Sequence, residues 1–355
     1  MASDLLCRTA DPVYGREASD LVAGTTALVT GAGGSIGSEI VRQLHRLGVL
    51  EVYYLDKDEY ALYRLQQEIE GIGLLDDQHY VLADVANRSQ IAQVMEVVRP
   101  DIVFHAAAYK HLPLLEKSPA AAIITNVRGT ENVVETSIAA GVKRVINIST
   151  DKAARPTSVL GMSKRLGELI AASHVGSATR IASVRFGNVL GSRGSFLETL
   201  DLQVGAGRPV TVTHPDVTRY FMTIPEAAAL VIEAGVLAES GETYVLDMGD
   251  PIRILDVIDR FARLTQTGTP DIVYTGLRLG EKLHEELYDP FEPRRDTPHP
   301  RISKVHVDGE TGQHAMLQGE AEILYRSVRL GATPQDLRAE MLRLIEANTL
   351  NGIAA

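Results

Sequence analysis

Residues 27–40 read ALVTGAGGSIGSEI. A short apolar run with strand character ends in three spaced glycines, Gly31, Gly34 and Gly37, and a helical pattern begins at once. A turn this tight needs a residue that tolerates unusual φ, and close approach of a pyrophosphate needs a missing side chain. Ser35 and Ile36 stand at the helix start, where free N–H groups and the positive end of the helix dipole favour an anion. A glycine pattern alone is weak. The strand before it, the helix after it and an acidic end to the next strand together predict a dinucleotide site.

Working outward, short apolar runs alternate with helical patterns. Strands are expected at 26–30, 51–56, 79–84, 101–107, 144–150 and 181–186, with segments of about 3.6-residue period between them. Alternation in this order predicts an α/β fold, a Rossmann doubly wound parallel sheet. Asp56 closes the second strand, nineteen residues past Gly37. A carboxylate there accepts from ribose hydroxyls and repels a 2′-phosphate, which favours NAD over NADP. Lys57 beside it could reach a phosphate, and Asp56 could also be a solvated turn residue. Asp84 is a candidate for the adenine edge, with a helix N-cap as the alternative. Val85 and Ala106, near the ends of the third and fourth strands, complete the expected cofactor set.

After residue 186 the rhythm breaks and Gly and Pro become frequent. The expected organisation is an N-terminal arm at 1–24, an NAD-binding domain at 25–186 and a smaller, loop-rich substrate-binding lobe at 187–330. A return strand is expected near 244–248, and a C-terminal helix and tail at 331–355. The 355 residues are 45% apolar and 23% charged, ordinary for a globular protein. A net charge of −11 argues against broad nucleic-acid or anionic-membrane binding. One cysteine, Cys7, allows no internal disulfide and fits a reducing cytoplasm. No apolar run approaches membrane-spanning length, and the start lacks signal-peptide character. No His pair has zinc-helix spacing, and PHPR at 298–301 reads as a turn, so no metal is expected.

The segments TGAGGSIGSE, LDKDEYALYRL, FHAAAYKHLPLLE, TNVRGT, STDKAARPTSVLGMSKR, VRFGNVLGSRGS, VTHPDVTRYFMTIPEA, VLDMGDPIRI and GLRLGEKLHEEL run in order from about 26 to 288. As a set they resemble the UDP-N-acetylglucosamine 4,6-dehydratases of polysaccharide biosynthesis, CapD-like members of the extended short-chain dehydrogenase/reductases. DLLCR near the start looks like the lead-in that joins a membrane segment to the soluble domain in larger members. The resemblance implies a lyase that oxidises C4 of UDP-N-acetylglucosamine, eliminates water across C5 and C6, and returns hydride to C6. It also implies a homo-oligomer, with helices around 118–140 and 157–173 as the expected dimer interface.

The family's C5 base matches Lys152 and its C6 acid matches Asp151. An adjacent Asp and Lys can do this work if the Lys is partly desolvated, lowering its pKa, and the Asp is held protonated. An ordinary ion pair after a strand is the alternative. Lys164 matches the group that holds the nicotinamide ribose. A superfamily reductase carries a tyrosine four residues before that lysine. Here the position is Leu160, which neither titrates nor donates. The C4 hydroxyl proton must go elsewhere: to Asp151, to Lys152, or to a water held by Thr150. Arg219 and Arg278 match diphosphate arginines, and Asn188 the diphosphate amide. Glu281 is a candidate for ribose hydroxyls, and Lys110 and His111 for the sugar. Asn126 is expected to order the sheet edge and a water. A UDP-hexose 4-epimerase and a non-catalytic NAD-binding subunit are the competing readings.

Overall fold

The computed structural model describes residues 2–6, 14–306 and 313–350. Strands β1 (Thr26–Thr30), β2 (Glu51–Asp56), β3 (Tyr80–Leu82), β4 (Ile102–His105), β5 (Arg144–Ile148) and β6 (Arg180–Arg185) are all parallel, in the spatial order 6-5-4-1-2-3. Leu28, Val29, Val103, Phe104, Val145 and Ile146 are fully shielded. Both faces of a parallel sheet are buried in this way when crossover helices cover them. The strand order reverses between β1 and β4, and such a switch point opens a crevice at the carboxyl ends. This is the expected doubly wound fold. β1 and β2 match their expected ranges residue for residue. β3 is shorter than 79–84, because the chain turns where Asp84 Oδ1 accepts from Ala86 N at 3.0 Å.

Within the expected N-terminal arm, the described residues 2–6 and 14–24 pack on the body. α1 (Ala2–Leu6) buries Leu5 and Leu6 in one apolar cluster with Leu190, Leu200 and Phe221. Arg260 Nη1 donates to the Leu5 carbonyl at 2.8 Å. α2 (Arg16–Val22) buries Ala18 and Val22, four residues apart and therefore on one helix face. Cys7 and Arg8 lie outside the described residues.

α3 (Ser35–Arg46), α4 (Glu59–Glu70) and α5 (Arg88–Val98) alternate with the first strands. Asp58 caps α4 by accepting from Ala61 N, and Asn87 caps α5 by accepting from Gln90 N. Between β4 and β5 run α6 (Leu112–Lys117), α7 (Pro119–Ala122), a π-helical turn (Ile123–Arg128) and α8 (Gly129–Ala139). α9 (Val159–Ala172), capped by Ser158, joins β5 to β6 and is buried at every residue.

The chain then enters the lobe through β7 (Asn188–Leu190), α10 (Phe196–Gly205), β8 (Val210–Val212), β9 (Thr218–Arg219) and β10 (Phe221–Thr223). α11 (Ile224–Leu237) opens with a Thr223/Glu226 capping box and packs on α2 and α3. β11 (Glu242–Leu246) returns to the sheet beside β6, two residues earlier than expected. β12 (Ile252–Arg253), α12 (Ile254–Thr265) and β13 (Ile272–Tyr274) complete the lobe.

The chain leaves the lobe well before 330. β14 (Arg294–Asp296) and β15 (Ile302–His306) extend the sheet antiparallel to β11 and to each other. α13 (Gln313–Arg329) and α14 (Pro334–Leu350) cross to the α9 face, where Leu324, Tyr325, Leu337, Met341 and Ile345 join Leu166, Leu169 and Ile170 in one core. Of the helices expected at a dimer interface, α9 is covered by the chain's own carboxyl-terminal helices.

Behind β5 lies a buried cluster of two arginines and two glutamates. Arg185 Nε and Nη2 reach the two Glu168 oxygens at 2.7 and 2.6 Å, and Nη1 reaches Glu292 Oε2 at 2.6 Å. Arg165 Nη1 pairs with both glutamates, and Ser149 Oγ donates to Glu168 Oε1 at 2.6 Å. Burial alone would raise the Glu292 carboxyl, but Arg185 and Arg165 hold it down at about 2. Desolvating four charges costs several kcal/mol per ion, and the two-pronged geometry offsets it. Removing one member leaves the rest uncompensated. Arg185→Ala is expected to destabilise the chain by about 3–5 kcal/mol, read from the midpoint of urea unfolding.

Candidate functional site

A cleft of about 790 Å³ runs along the carboxyl ends of the parallel strands, between the sheet and the lobe. Its floor is the glycine loop. Gly31 sits at φ +66°, and a Cβ there would lie 2.6 Å from Ala107 N. A Cβ on Gly37 would lie 2.1 Å from the Gly31 carbonyl oxygen. Gly34 is the N-cap of α3 and leaves it without a side-chain cap, so the helix start faces the cleft through Ser35 and Ile36. Ser35 Oγ also accepts from Arg193 N of the lobe at 3.0 Å.

Asp56 lines the cleft, with Oδ2 accepting from Gly33 N and Oδ1 from Asp58 N, both at 3.0 Å. Those two bonds aim the carboxylate across the glycine loop. Lys57 Nζ donates to Tyr109 Oη at 2.6 Å and lies 3.8 Å from Asp84 Oδ2. Asp84 is a wall residue rather than a cap, since Asn87 caps α5. Val85 and Ala106 line the same end. Asn126 stays out of the wall. It accepts from Tyr109 N at 2.8 Å and donates to Tyr109 O and Ser163 Oγ at 3.0 and 2.9 Å, which pins the loop after β4.

At the other end, Thr150, Lys152, Leu160 and Lys164 share one wall. Lys164 is buried, its Nζ donates to the Ile148 carbonyl at 2.7 Å, and burial lowers its pKa to about 8. Leu160 is also buried, one helical turn away. Among the described residues Tyr109 is the one tyrosine of the wall, and its hydroxyl is engaged with Lys57.

Asp151 differs from its expected placement. Its side chain is fully buried behind the wall, because the 3-10 turn Asp151–Ala153 turns it under the strand end toward Gly187. Oδ1 accepts from Thr150 Oγ1 at 2.8 Å, Lys152 N at 2.9 Å and Lys152 Nζ at 3.0 Å, while Oδ2 has no partner. Lys152 also departs from expectation. Burial pulls its pKa down, but the carboxylates of Asp151 and Glu285 outweigh it and hold the ammonium above its ordinary value.

Glu285 is the site residue that the sequence reading missed. It lies 3.6 Å from Lys152 Nζ and 4.0 Å from Arg219 Nε, with its side chain 3% exposed, and burial raises its pKa. It stands in GLRLGEKLHEEL beside an ordinary surface glutamate, and no spacing singled it out. Glu286 takes Lys282 and Arg155 outside the cleft instead.

The lobe supplies the other groups. Asn188 Oδ1 accepts from Lys152 Nζ at 3.3 Å. Arg219 Nη2 donates to Glu281 Oε1 at 2.8 Å, and Glu281 Oε2 accepts from Arg278 N at 3.2 Å. Glu281 is thus tied to an arginine rather than free for a hydroxyl. Lys110 Nζ donates to Ser192 Oγ at 3.4 Å, and the His111 ring lies against Gly194, both at the cleft. Among the described residues no group of His, Cys, Asp and Glu could hold a metal ion, and no helix is long and apolar enough to cross a membrane.

The profile of a family described as polysaccharide biosynthesis protein matches residues 27–307. The capsular polysaccharide biosynthesis protein CapD of Staphylococcus aureus is 45% identical over 288 residues, 80% of this chain but 48% of CapD, so the chain spans about half the length of that relative. A UDP-glucose 4-epimerase of Rickettsia rickettsii is 30% identical over 84% of this chain and 88% of its own. The solved structure of Pen from Bacillus thuringiensis is similar with a TM-score of 0.73 and 31% identity, over 80% of this chain and 87% of Pen.

Lys164 makes the site's burial measurable. With a folded pKa near 8 and an unfolded one near 10.5, the folded chain holds fewer protons between those values. Stability from this group therefore rises as pH climbs from about 8 toward 10.5. Urea midpoints across that range should show a shallower rise in Lys164→Met than in the native chain.

Proposed function

The chain belongs to the polysaccharide biosynthesis protein family, within the extended short-chain dehydrogenase/reductases, and from that premise we propose an NAD-dependent nucleotide-sugar 4,6-dehydratase acting on UDP-N-acetylglucosamine. The observation that carries this reading is the Thr150-Asp151-Lys152 turn at the end of β5, which brings Thr150 and Lys152 to the cleft on the same wall as an apolar Leu160.

The glycine loop fits a dinucleotide. The spaces that a Cβ would fill at Gly31 and Gly37, and the uncapped start of α3, suit a pyrophosphate. Asp56 suits an adenosine ribose, Asp84 and Val85 its adenine, and Lys164 the second ribose. Asp56 and the engagement of Lys57 with Tyr109 both favour NAD over NADP. Bound there, NAD supplies the reversible hydride store that a net loss of water requires.

The chain's own groups move the protons. Asp151 does not reach the cleft, but Thr150 does, and its hydroxyl donates to Asp151 Oδ1. The C4 hydroxyl proton passes to Thr150 Oγ1 as the threonine's own proton passes to Asp151. This relay takes the place of the absent phenol. Lys152, as the free amine, removes the proton from C5. Asp151, now the acid, returns its proton through Thr150 to the C6 oxygen, which leaves as water, and Lys152 gives a proton back to C5 once C6 has been reduced. Arg219, Arg278 and Asn188 suit the diphosphate, with Glu281 holding Arg219 in place until the anion arrives. Lys110 and His111 suit the sugar.

The second reading is a 4-epimerase, the activity named for the Rickettsia relative. It needs no C5 base, and Lys152 would then be idle. Purified protein with NAD and UDP-N-acetylglucosamine should give a 4-keto-6-deoxy sugar nucleotide by proton NMR. UDP-N-acetylgalactosamine instead would establish the epimerase. Lys152→Ala should lower kcat by about 10²–10⁴, the usual worth of a general base, with little change in binding of UDP.

A further inference from the structure

Lys152 poses a problem that the proposed chemistry leaves open. It must meet C5 as a free amine, yet the carboxylates around it hold it as an ammonium. Its proton needs an acceptor within the closed site. Asp151 is engaged in the relay through Thr150. Asn188 presents an amide oxygen to Nζ, which accepts a hydrogen bond but not a proton.

We propose that Glu285 is a positioning residue for Lys152 and the store for its proton: when the diphosphate of a sugar nucleotide engages Arg219, the Lys152 Nζ proton moves to Glu285 Oε1 and the free amine is left facing the substrate. The proposal rests on the dehydratase reading. In the transfer one N–H bond breaks and one O–H bond forms, and an ammonium–carboxylate pair becomes an amine and a carboxylic acid. Nothing else enters or leaves.

Three arrangements carry it. Glu285 Oε1 is 3.6 Å from Lys152 Nζ, and both groups line the cleft. The Glu285 carboxyl is buried, so it resists ionisation unless cations stand nearby. The cations that face it are Lys152 itself, Arg219 from β9 at 4.0 Å, and Lys282 three residues earlier, whose Nζ already pairs with Glu286 at 3.0 Å. Asp151, from the turn after β5, is the neighbouring anion and further disfavours a charged Glu285. Arg219 is therefore the movable influence. A diphosphate that neutralises it withdraws support from the Glu285 carboxylate, and the shared proton shifts toward oxygen. Substrate binding and base activation become one event.

Two measurements test this. In the native chain the active arrangement keeps one proton on the Lys152–Glu285 pair, so kcat is level through neutral pH, between the pair's two titration steps. In Glu285→Gln, Lys152 must release its proton to solvent, and kcat should climb about tenfold per pH unit until Lys152 titrates. Glu285→Asp, which keeps a carboxyl, should restore the level profile at reduced kcat, and if the Gln variant does not fold, a shift in frequency of the UDP-induced carboxyl band in Glu285→Asp carries the test. A merely structural role lowers kcat equally at every pH.

Infrared difference spectra with UDP as the probe give a readout that needs no turnover. A protonated-carboxyl band should appear on binding in the native chain and be missing in Glu285→Gln. Parallel pH profiles in the native chain and Glu285→Gln, or a UDP-induced band that is absent from the native chain, survives in Glu285→Gln or keeps its frequency in Glu285→Asp, overturn the role of Glu285. A native chain that forms no 4-keto-6-deoxy product in the same assay overturns the dehydratase reading itself.

Discussion

One ammonium between two buried carboxylates organises this molecule's cleft. Lys152 comes from the turn after β5, Asp151 precedes it in sequence, and Glu285 arrives from the lobe. An isolated ammonium in so enclosed a position would shed its proton. The two carboxylates prevent that, and the same attraction holds lobe to sheet at the point where chemistry is placed. Arg219 and Glu281 continue the chain of alternating charges outward. Protonation state and lobe position are thereby written into one connected set of contacts.

That set is held on rigid elements. α9 carries Lys164 and Leu160 and is buried at every residue, pressed between the sheet and the carboxyl-terminal helices. The Arg185–Glu168–Glu292–Arg165 cluster fastens α9, β6 and the segment around residue 292 to one another, and Ser149 ties the end of β5 to it. Lys164 Nζ is fixed on the Ile148 carbonyl. The wall that bears the proposed relay is backed by desolvated ion pairs, whose partners are expensive to separate.

Much of this was legible in the sequence where a local pattern has one physical solution. The run from Ala27 to Ile40 combines a buried strand, a positive-φ glycine and a helix start, and the fold around it follows from connection rules. The residues singled out for the cleft from Gly31 to Glu281 line it, with Asp151 behind the wall. What was hidden depends on contacts distant in the chain. Glu285 looks like its neighbour Glu286, and only the fold turns one inward and the other out. The electrostatic bias on Lys152 needs that glutamate, so the lowered pKa expected from burial alone gave way to a raised one. Leu5, Val22 and α13 bury apolar faces against elements far away in sequence, which neither an arm nor a lobe boundary at 330 anticipated.

The central claim is that Lys152 breaks the C5–H bond in a site served by Thr150 and Asp151 without a phenol. Its most direct test is turnover of UDP-N-acetylglucosamine in deuterated water, with the label in the product located by NMR. The account predicts one solvent deuterium at C5 of a 4-keto-6-deoxy product, lost together with turnover in Lys152→Ala. Product that keeps its original C5 hydrogen, or deuterium entering C5 equally well without Lys152, would contradict it.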